Sequence, residues 1–230
     1  MQALTCPVVE EVGGRYVVRD DMLPGGTKRR AIHAMAQSDT RELCYAGPVF
    51  GYAQVALAYY AAGAGKRATV FCAKRKALHH RTLEASNAGA TVVEVAHGYL
   101  SNVQAKARVY CAETGARLLP FGLDCAEALD AISAAARGLG LSPLAVWCAA
   151  GSGTLSRALQ RAWPNAIHHA VLVGKSDADT GAATVHRAPE PFERDAELPP
   201  PFASCSNYDA KVWRFFREAP PGALFWNVAR

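Results

Sequence analysis

The sequence predicts an α/β protein built on mostly parallel sheets. Three observations carry that reading. From residue 42 onward, short apolar runs rich in β-branched residues alternate with helical patterns, the signature of βα units and parallel strands. The 13 prolines and 19 glycines fall chiefly between those runs, where turns belong. Half of the 230 residues are hydrophobic and a fifth are charged, enough to build a real core and too apolar for disorder.

The elements follow in order. A β-like run ending in VVRDD gives way to a helical pattern after PGGTK. ELCYAG reads as a strand and GYAQVALAYYAAG as a helix of small and apolar residues. RATVFCA is a strand, and LHHRTLEASNAG a helix stopped by its glycine. Then come strand TVVEVA, helix NVQAKARVYCAETG, strand ARLLPFG and helix CAEALDAISAAARGLG. LAVWCA is a buried strand, TLSRALQRAW a helix and AIHHAVLVG another strand. Residues 175–206 break the rhythm: APEPFERDAELPPPF is proline-rich and acidic, a loop or lid over the surface rather than a linker. NYDAKVWRFFREA then reads as a helix, and GALFWNVAR as a last strand that ties the chain end into the sheet.

Composition narrows the function classes. No apolar run approaches the roughly 18–20 residues that span a bilayer, so no membrane role is expected. The first residues lack a signal-peptide pattern, and the expected location is the cytoplasm. Seven dispersed cysteines without a CxxC argue for buried thiols rather than disulfides or zinc. His79-His80 and His168-His169 are adjacent pairs, which cannot converge on one ion, so no metal is expected. Ser152 lies in Gly-Ser-Gly rather than G-x-S-x-G, which argues against a serine hydrolase. The net charge of +5 permits an anionic partner, and AKRKALHHR (residues 73–81) is the densest basic run. It reads either as a solvated face or as a surface for phosphate or nucleic acid.

Two loops look built for chemistry, and ligands of parallel sheets gather at the carboxyl ends of the strands. In LAVWCAAGSGTLSRALQ, a buried strand runs through Gly151-Ser152-Gly153-Thr154 straight into a helix. Glycines allow close backbone approach, the helix start offers N–H groups, and Ser152 and Thr154 add hydroxyls, so a phosphate suits the turn. A plain capped βα turn is the other reading. The second loop puts Lys28 behind Gly25-Gly26-Thr27 at a helix start, next to Arg29-Arg30. Partial desolvation and neighbouring cations would favour its neutral, nucleophilic form. A surface lysine at a helix start is the ordinary alternative. A reactive lysine with a phosphate cradle is the pair that pyridoxal phosphate needs.

VVRDDMLPGGTKRRAI resembles the segment around the Schiff-base lysine of fold type II pyridoxal-phosphate enzymes. The likeness is nearest to the branch holding 1-aminocyclopropane-1-carboxylate deaminase and D-cysteine desulfhydrase, with its pattern R-x-D-x-L-P-G-G-N-K-x-R. Arg19, Asp21, Leu23, Pro24, Gly25, Gly26, Lys28 and Arg30 fall in place. The AAGSGT loop is similar to that family's phosphate cup, and Asn207-Tyr208-Asp209-Ala210-Lys211 to its late Y-x-x-K segment. The ordered set covers nearly the whole chain.

The resemblance implies two domains: a larger cofactor-binding one from residues 1–40 and 123–230, and a smaller inserted one from 41–122. It implies pyridoxal 5′-phosphate on Lys28, a phosphate site at Gly151, Ser152, Gly153 and Thr154, and Lys28 and Tyr208 as catalytic groups. The expected chemistry is a lyase reaction on an amino-acid-type substrate, by elimination, deamination or decarboxylation. Relatives of this kind are commonly homodimers. Two places depart from the pattern. Where the family has Ser-Asn-His or Gly-Asn-His, this chain has Phe50, Gly51 and Tyr52 before Gln54, which makes Gly51, Tyr52 and Gln54 the expected substrate-binding residues. LFWNVAR stands where relatives read LF-x-H-T-G-G, with Asn227 as the expected cofactor neighbour and Val228 in place of the threonine. The altered loop, the small size and the basic run also fit a diverged phage enzyme whose amino acid substrate hangs from thymine in DNA. A non-catalytic phosphate- or nucleotide-binding module is the contrasting class.

Overall fold

The structure, a computed structural model, describes residues 4–36, 39–96, 99–174 and 177–230. Strands β1 (Val8–Val12) and β2 (Arg15–Arg19) form an antiparallel hairpin. Its two-residue turn is Gly13-Gly14, with φ of 58° and 74°, the left-handed pair that a tight hairpin of this twist demands. A 3₁₀ turn at Asp20–Met22 leads through Leu23-Pro24-Gly25 into helix α1 (Gly26–Met35). Strand β3 (Glu42–Ala46), helix α2 (Ala53–Ala64), strand β4 (Arg67–Ala73), helix α3 (His80–Asn87), strand β5 (Thr91–Val95), helix α4 (Leu100–Thr114) and strand β6 (Arg117–Leu118) follow. Beyond them lie helix α5 (Ala126–Arg137), strand β7 (Ala145–Ala150), helix α6 (Thr154–Ala162), and strands β8 (Ile167–Leu172) and β9 (Thr184–Arg187). A 3₁₀ turn at Asp209–Val212, the short helix α7 (Trp213–Phe216) and strand β10 (Leu224–Asn227) close the order.

The described residues form two compact units, Lys28–Leu123 in one and those from 4 to 27 with Asp124–Arg230 in the other. The smaller holds a four-stranded parallel sheet of order β5-β4-β3-β6. Alternate residues of its strands (Cys44, Ala46, Phe71) pack on Val103 and Ala107 of α4. The boundary expected near residue 40 lies before Lys28 instead, because α1 packs within the smaller unit. There His33 meets the Tyr60 ring edge-on at 5.9 Å, and Arg117 Nη1 donates to the Met35 carbonyl at 2.6 Å.

The larger unit holds a six-stranded sheet of order β1-β2-β10-β7-β8-β9, parallel except for the β1–β2 hairpin. The last strand therefore lies in the middle of the sheet. Phe225, Trp147, Val171 and Val17 pack with Phe216 and Val212 into its core. An interior strand buried on both faces is a continuous apolar run, and LFWN is fully buried.

Four expectations need adjustment. ARLLPFG forms only the two-residue edge pairing of β6 before a 3₁₀ turn at Phe121–Leu123, since Pro120 and Gly122 break the strand. NYDAKVWRFFREA is a 3₁₀ turn followed by a single turn of α-helix. Strand β9 lies inside the stretch read as a loop; its TVHR sequence lacks apolar alternation because it is a half-exposed edge strand. Residues 175 and 176 of that stretch lie outside the described residues. Its proline-rich part is also no free lid. Asn207 Nδ2 donates to the Phe192 carbonyl, Ala196 N to the Ser206 carbonyl, and Arg214 pairs with Glu190 and Glu197. The buried amine of Lys211 donates to the Pro191 carbonyl at 2.8 Å and pins the strap from beneath.

All seven cysteines are free thiols; four are buried and Cys6 is exposed. Among the described residues no helix is long and apolar enough to cross a membrane. No group of three or more His, Cys, Asp or Glu among them is placed to hold a metal ion.

Candidate active site

The lysine-bearing turn is bolted to the larger sheet one residue before Lys28. Gly25 and Gly26 have φ of 89° and 60°, two consecutive left-handed positions that only glycine takes without strain. Thr27 is 2% exposed and sits where the resembled pattern has asparagine. Its hydroxyl donates to Asp20 Oδ2 at 2.7 Å and accepts the Trp226 indole N–H at 2.8 Å. The Thr27 backbone N–H donates to the Val228 carbonyl at 3.2 Å. Asp20 and Trp226 are both fully buried, so each bond also satisfies a group that water cannot reach. Beside them Arg19 meets Asp21 through two 2.9 Å bonds, with Glu10 as a further partner and the Phe202 ring 5.3 Å below. The "R-x-D" of the pattern is thus a buried ion pair that stiffens the strand end. Lys28 follows as the third residue of α1, partly exposed, and the first residue of the smaller unit.

The glycine turn after β7 is equally constrained. Gly153 caps α6 with φ of 83°, and a Cβ there would fall 1.8 Å from the Asp179 carbonyl oxygen. Segment 179–182 is held against α6 because Ser156 Oγ and Gln160 Nε2 both donate to the Thr180 carbonyl, at 2.9 and 2.7 Å. A Cβ on Gly151 would meet Tyr208 Oη at 3.1 Å. The Gly151 N–H donates to that phenol oxygen. Ser152 Oγ and Thr154 Oγ1 stand 3.0 Å apart. Two hydroxyls, glycine backbone and the positive end of a nine-residue helix form a donor set without an acidic side chain among residues 151–154. That chemistry fits a phosphate.

Tyr208 joins this turn from the start of the 3₁₀ segment. Burial first, then the nearby Asp209 carboxylate, raises its phenol well above the ordinary tyrosine range. It stays protonated at neutral pH and can offer its O–H as a hydrogen-bond donor. Asn227, the expected cofactor neighbour, is fully buried; Ser204 Oγ donates to its Oδ1 at 2.7 Å and its Nδ2 donates to the Ala203 carbonyl at 2.8 Å. Both ends of the amide hold segment 203–204 onto β10.

In the smaller unit the loop after β3 is a tight turn, Gly51 N donating to the Pro48 carbonyl at 2.9 Å. Gln54 is buried beneath it and donates to the carbonyls of Val49 at 2.7 Å and Gly51 at 3.2 Å. Gln54, expected to touch substrate, shapes the turn through its amide nitrogen, and Phe50, Gly51 and Tyr52 are partly exposed. Sequence reasoning missed the partners of this loop. The Arg81 guanidinium, nearly buried, lies over the Tyr52 ring at 4.6 Å. His79 Nδ1 accepts the Arg81 N–H, its ring bonds to the Val49 carbonyl, and Phe50 meets that ring edge-on at 4.7 Å. Burial, followed by the charges of His80, Arg81 and Arg75, lowers the His79 pKa and keeps the imidazole neutral. Adjacent basic and aromatic residues in AKRKALHHR were the visible signal; their contact with the loop was not.

No protein-family model and no curated protein matches the sequence. Solved structures do. An ACC deaminase homologue superposes with a TM-score of 0.79 at 13% identity, over 94% of this chain and 84% of the other. The diaminopropionate ammonia lyase of Escherichia coli, in its apo form, gives 0.64 at 14% identity over 94% and 77%. A hydrogen sulfide-producing enzyme from Fusobacterium nucleatum gives 0.67 at 12% identity over 97% and 93%. With a lysine-bearing turn clamped to the last strand and a glycine turn capping α6, the chain has the fold of the fold type II pyridoxal-phosphate enzymes.

Proposed function

We propose that the protein is a pyridoxal-phosphate-dependent lyase acting on an amino-acid-type substrate. The observation that carries this reading is the clamp of Thr27 between Asp20 and Trp226, which fixes where the chain delivers Lys28. A surface lysine needs no buried three-residue bolt directly before it. The donor set of Gly151, Ser152, Gly153 and Thr154 would take the cofactor's phosphate, and Lys28 Nζ its aldehyde carbon. When bound, the cofactor supplies an electron sink for bonds breaking at the substrate's α-carbon. Lys28 would take and return a proton at that carbon. Tyr208 keeps its proton on Oη beside the glycine turn, where it can hydrogen-bond to a bound group. Gly51 and Tyr52 would contact the substrate, with Arg81 lying over the Tyr52 ring.

Elimination with release of ammonia is the favoured reaction, since neighbours in the fold are described as ammonia lyases and deaminases. The remodelled loop leaves decarboxylation as the second reaction type. The test is a turnover screen across D- and L-amino acids, following ammonia, oxo acid and carbon dioxide. Oxo acid with ammonia is expected from wild type and none from Lys28→Ala. Cofactor attachment without turnover of any amino compound would favour a non-catalytic phosphate-binding module instead.

A further inference from the structure

The larger sheet carries a histidine pair that the chemistry above does not use. Alternation along β8 sends its two adjacent histidines to opposite faces. His168 meets the Trp163 carbonyl through Nε2 at 2.9 Å. His169 lies on the other face, in register with Trp147 of β7, and there it meets His186 of the edge strand β9. His169 Nδ1 and His186 Nε2 stand 3.1 Å apart. Neighbours in sequence cannot converge on one ion, but these neighbours across strands can. Two imidazole nitrogens on one zinc ion, each at about 2.1 Å and roughly 95–110° apart, are separated by about 3.1–3.4 Å. The observed spacing lies at the lower end of that range.

The rings are held before any ion arrives. His169 stacks on the Trp147 indole at 3.9 Å with the planes 11° apart, and His186 stacks on the same indole at 4.9 Å. Phe215 braces His186 at 5.2 Å. Trp147 is 7% exposed, and its indole N–H has no acceptor among the described residues. An oxygen ligand on an ion in this cluster would offer one. Both histidines are partly exposed, so an ion reaches them from solvent. Burial, ahead of the charges of His186 and His168, depresses the His169 pKa, and burial depresses that of His186. The neutral ring is the form that binds metal. One nitrogen of the facing pair carries the shared proton. On ion entry that proton moves to the second nitrogen of its own ring, which frees both facing lone pairs and releases no proton.

We propose that His169 and His186 form a two-histidine clip for a divalent transition-metal ion of the zinc type, which ties the edge strand β9 to β8. Water fills the remaining positions on the ion, and the clip stands independently of the lyase reading. Imidazole favours zinc, copper and nickel, whereas magnesium asks for oxygen ligands. Among the described strands β9 pairs with β8 alone, so an ion bridging the two adds to the stability of the folded chain by mass action.

The experiment is a zinc chloride titration of the chelator-treated full-length protein, followed by the ring-nitrogen NMR shifts of its histidines. A Cys6→Ser background removes the exposed thiol as a competing ligand. His169 Nδ1 and His186 Nε2 should shift together and saturate at a single ion per chain, and the thermal midpoint should rise with zinc. His169→Gln and His186→Gln should each weaken binding by about tenfold or more, at least what losing an outer-shell partner costs, and should abolish the thermal shift. His168→Gln, on the opposite face, should bind zinc as its parent does. Magnesium chloride should move neither ring. Zinc that leaves both rings unmoved, or that shifts the His79 and His80 rings in their place, would overturn the proposal. So would undiminished binding by His186→Gln, or an equal response to magnesium. The ring shifts are read on protein with both histidines in place, so a variant that fails to fold does not decide the outcome.

Discussion

Trp226, on the central strand of the larger sheet, donates its indole N–H to the hydroxyl of Thr27, and that hydroxyl in turn donates to Asp20. Residues 199 positions apart in sequence thereby set the entry of the helix that carries Lys28. All three side chains are buried, so each bond is made away from competing water.

Replacing Thr27 by valine keeps the shape and removes both bonds. It takes one bond from the buried Asp20 carboxylate and the hydroxyl partner from the buried Trp226 indole N–H, at a cost of about 2–4 kcal/mol. Urea denaturation should show that loss, with Thr27→Ser recovering most of it. Cofactor affinity should fall along with stability in Thr27→Val, because the lysine's anchor loosens. A valine variant as stable as wild type would show that the clamp is incidental.

Gly153 and Gly89 separate strain from collision. Both have left-handed φ, 83° and 97°, but a Cβ at Gly89 meets nothing within 4 Å whereas at Gly153 it strikes the Asp179 carbonyl. Gly89→Ala should cost about 1–2 kcal/mol from backbone strain alone. Gly153→Ala should cost more and also weaken pyridoxal phosphate binding at least tenfold, read by equilibrium titration. Similar effects of the two on cofactor binding would remove the glycine turn from the site.

The raised Tyr208 pKa carries a pH signature. The folded state holds this proton more tightly than the unfolded chain, whose tyrosines titrate near about 10. The stability it contributes is present below that value and is lost as pH rises toward the folded pKa. Ultraviolet titration should therefore leave Tyr208 among the tyrosines silent at pH 10.5 (about half a unit past the ordinary value), together with buried Tyr45, pushed up to about 12, and Tyr208→Phe should leave the number of titrating tyrosines unchanged. A lyase using the phenol as a donor should lose more in kcat than in KM on that substitution. An ordinary titration of Tyr208 would contradict its burial against Asp209.

Histidines set the acid side. Burial leads the causes that depress His33, His79, His168, His169 and His186. The unfolded chain binds those protons first, so stability is full above about 6.5 and falls as pH drops through the depressed values. Urea denaturation should give lower stability at pH 5 than at pH 7.5, and His79→Gln should narrow the gap by removing one of the five. Equal stability at the two pH values would contradict the buried neutral rings.

Much of this molecule was legible in its sequence because period and punctuation are local. The runs ELCYA, RATVFCA, AVWCAA and IHHAVL declare strands by their own composition, and the glycines after α2 and α4 mark helix ends. TVHR was not legible, since an edge strand needs only one neighbour and little apolar surface. At the site, PGGTK and AAGSGT announced themselves through glycine. The function of Thr27, by contrast, depends on Trp226, and that of Asn227 on Ser204, contacts that chain order does not display. Gln54 was expected at the substrate because its loop matches the resembled family's substrate turn; its bonds to the Val49 and Gly51 carbonyls are a matter of packing that chain order does not display.

The central claim is that Lys28 holds the cofactor. Purified protein incubated with pyridoxal phosphate, reduced with borohydride and digested should yield one peptide carrying the pyridoxyl mass, on Lys28. The buried Lys211 should stay unlabelled, and Lys28→Arg should carry no label at all. A label on another lysine with Lys28 unmodified, or none on wild type, would contradict it.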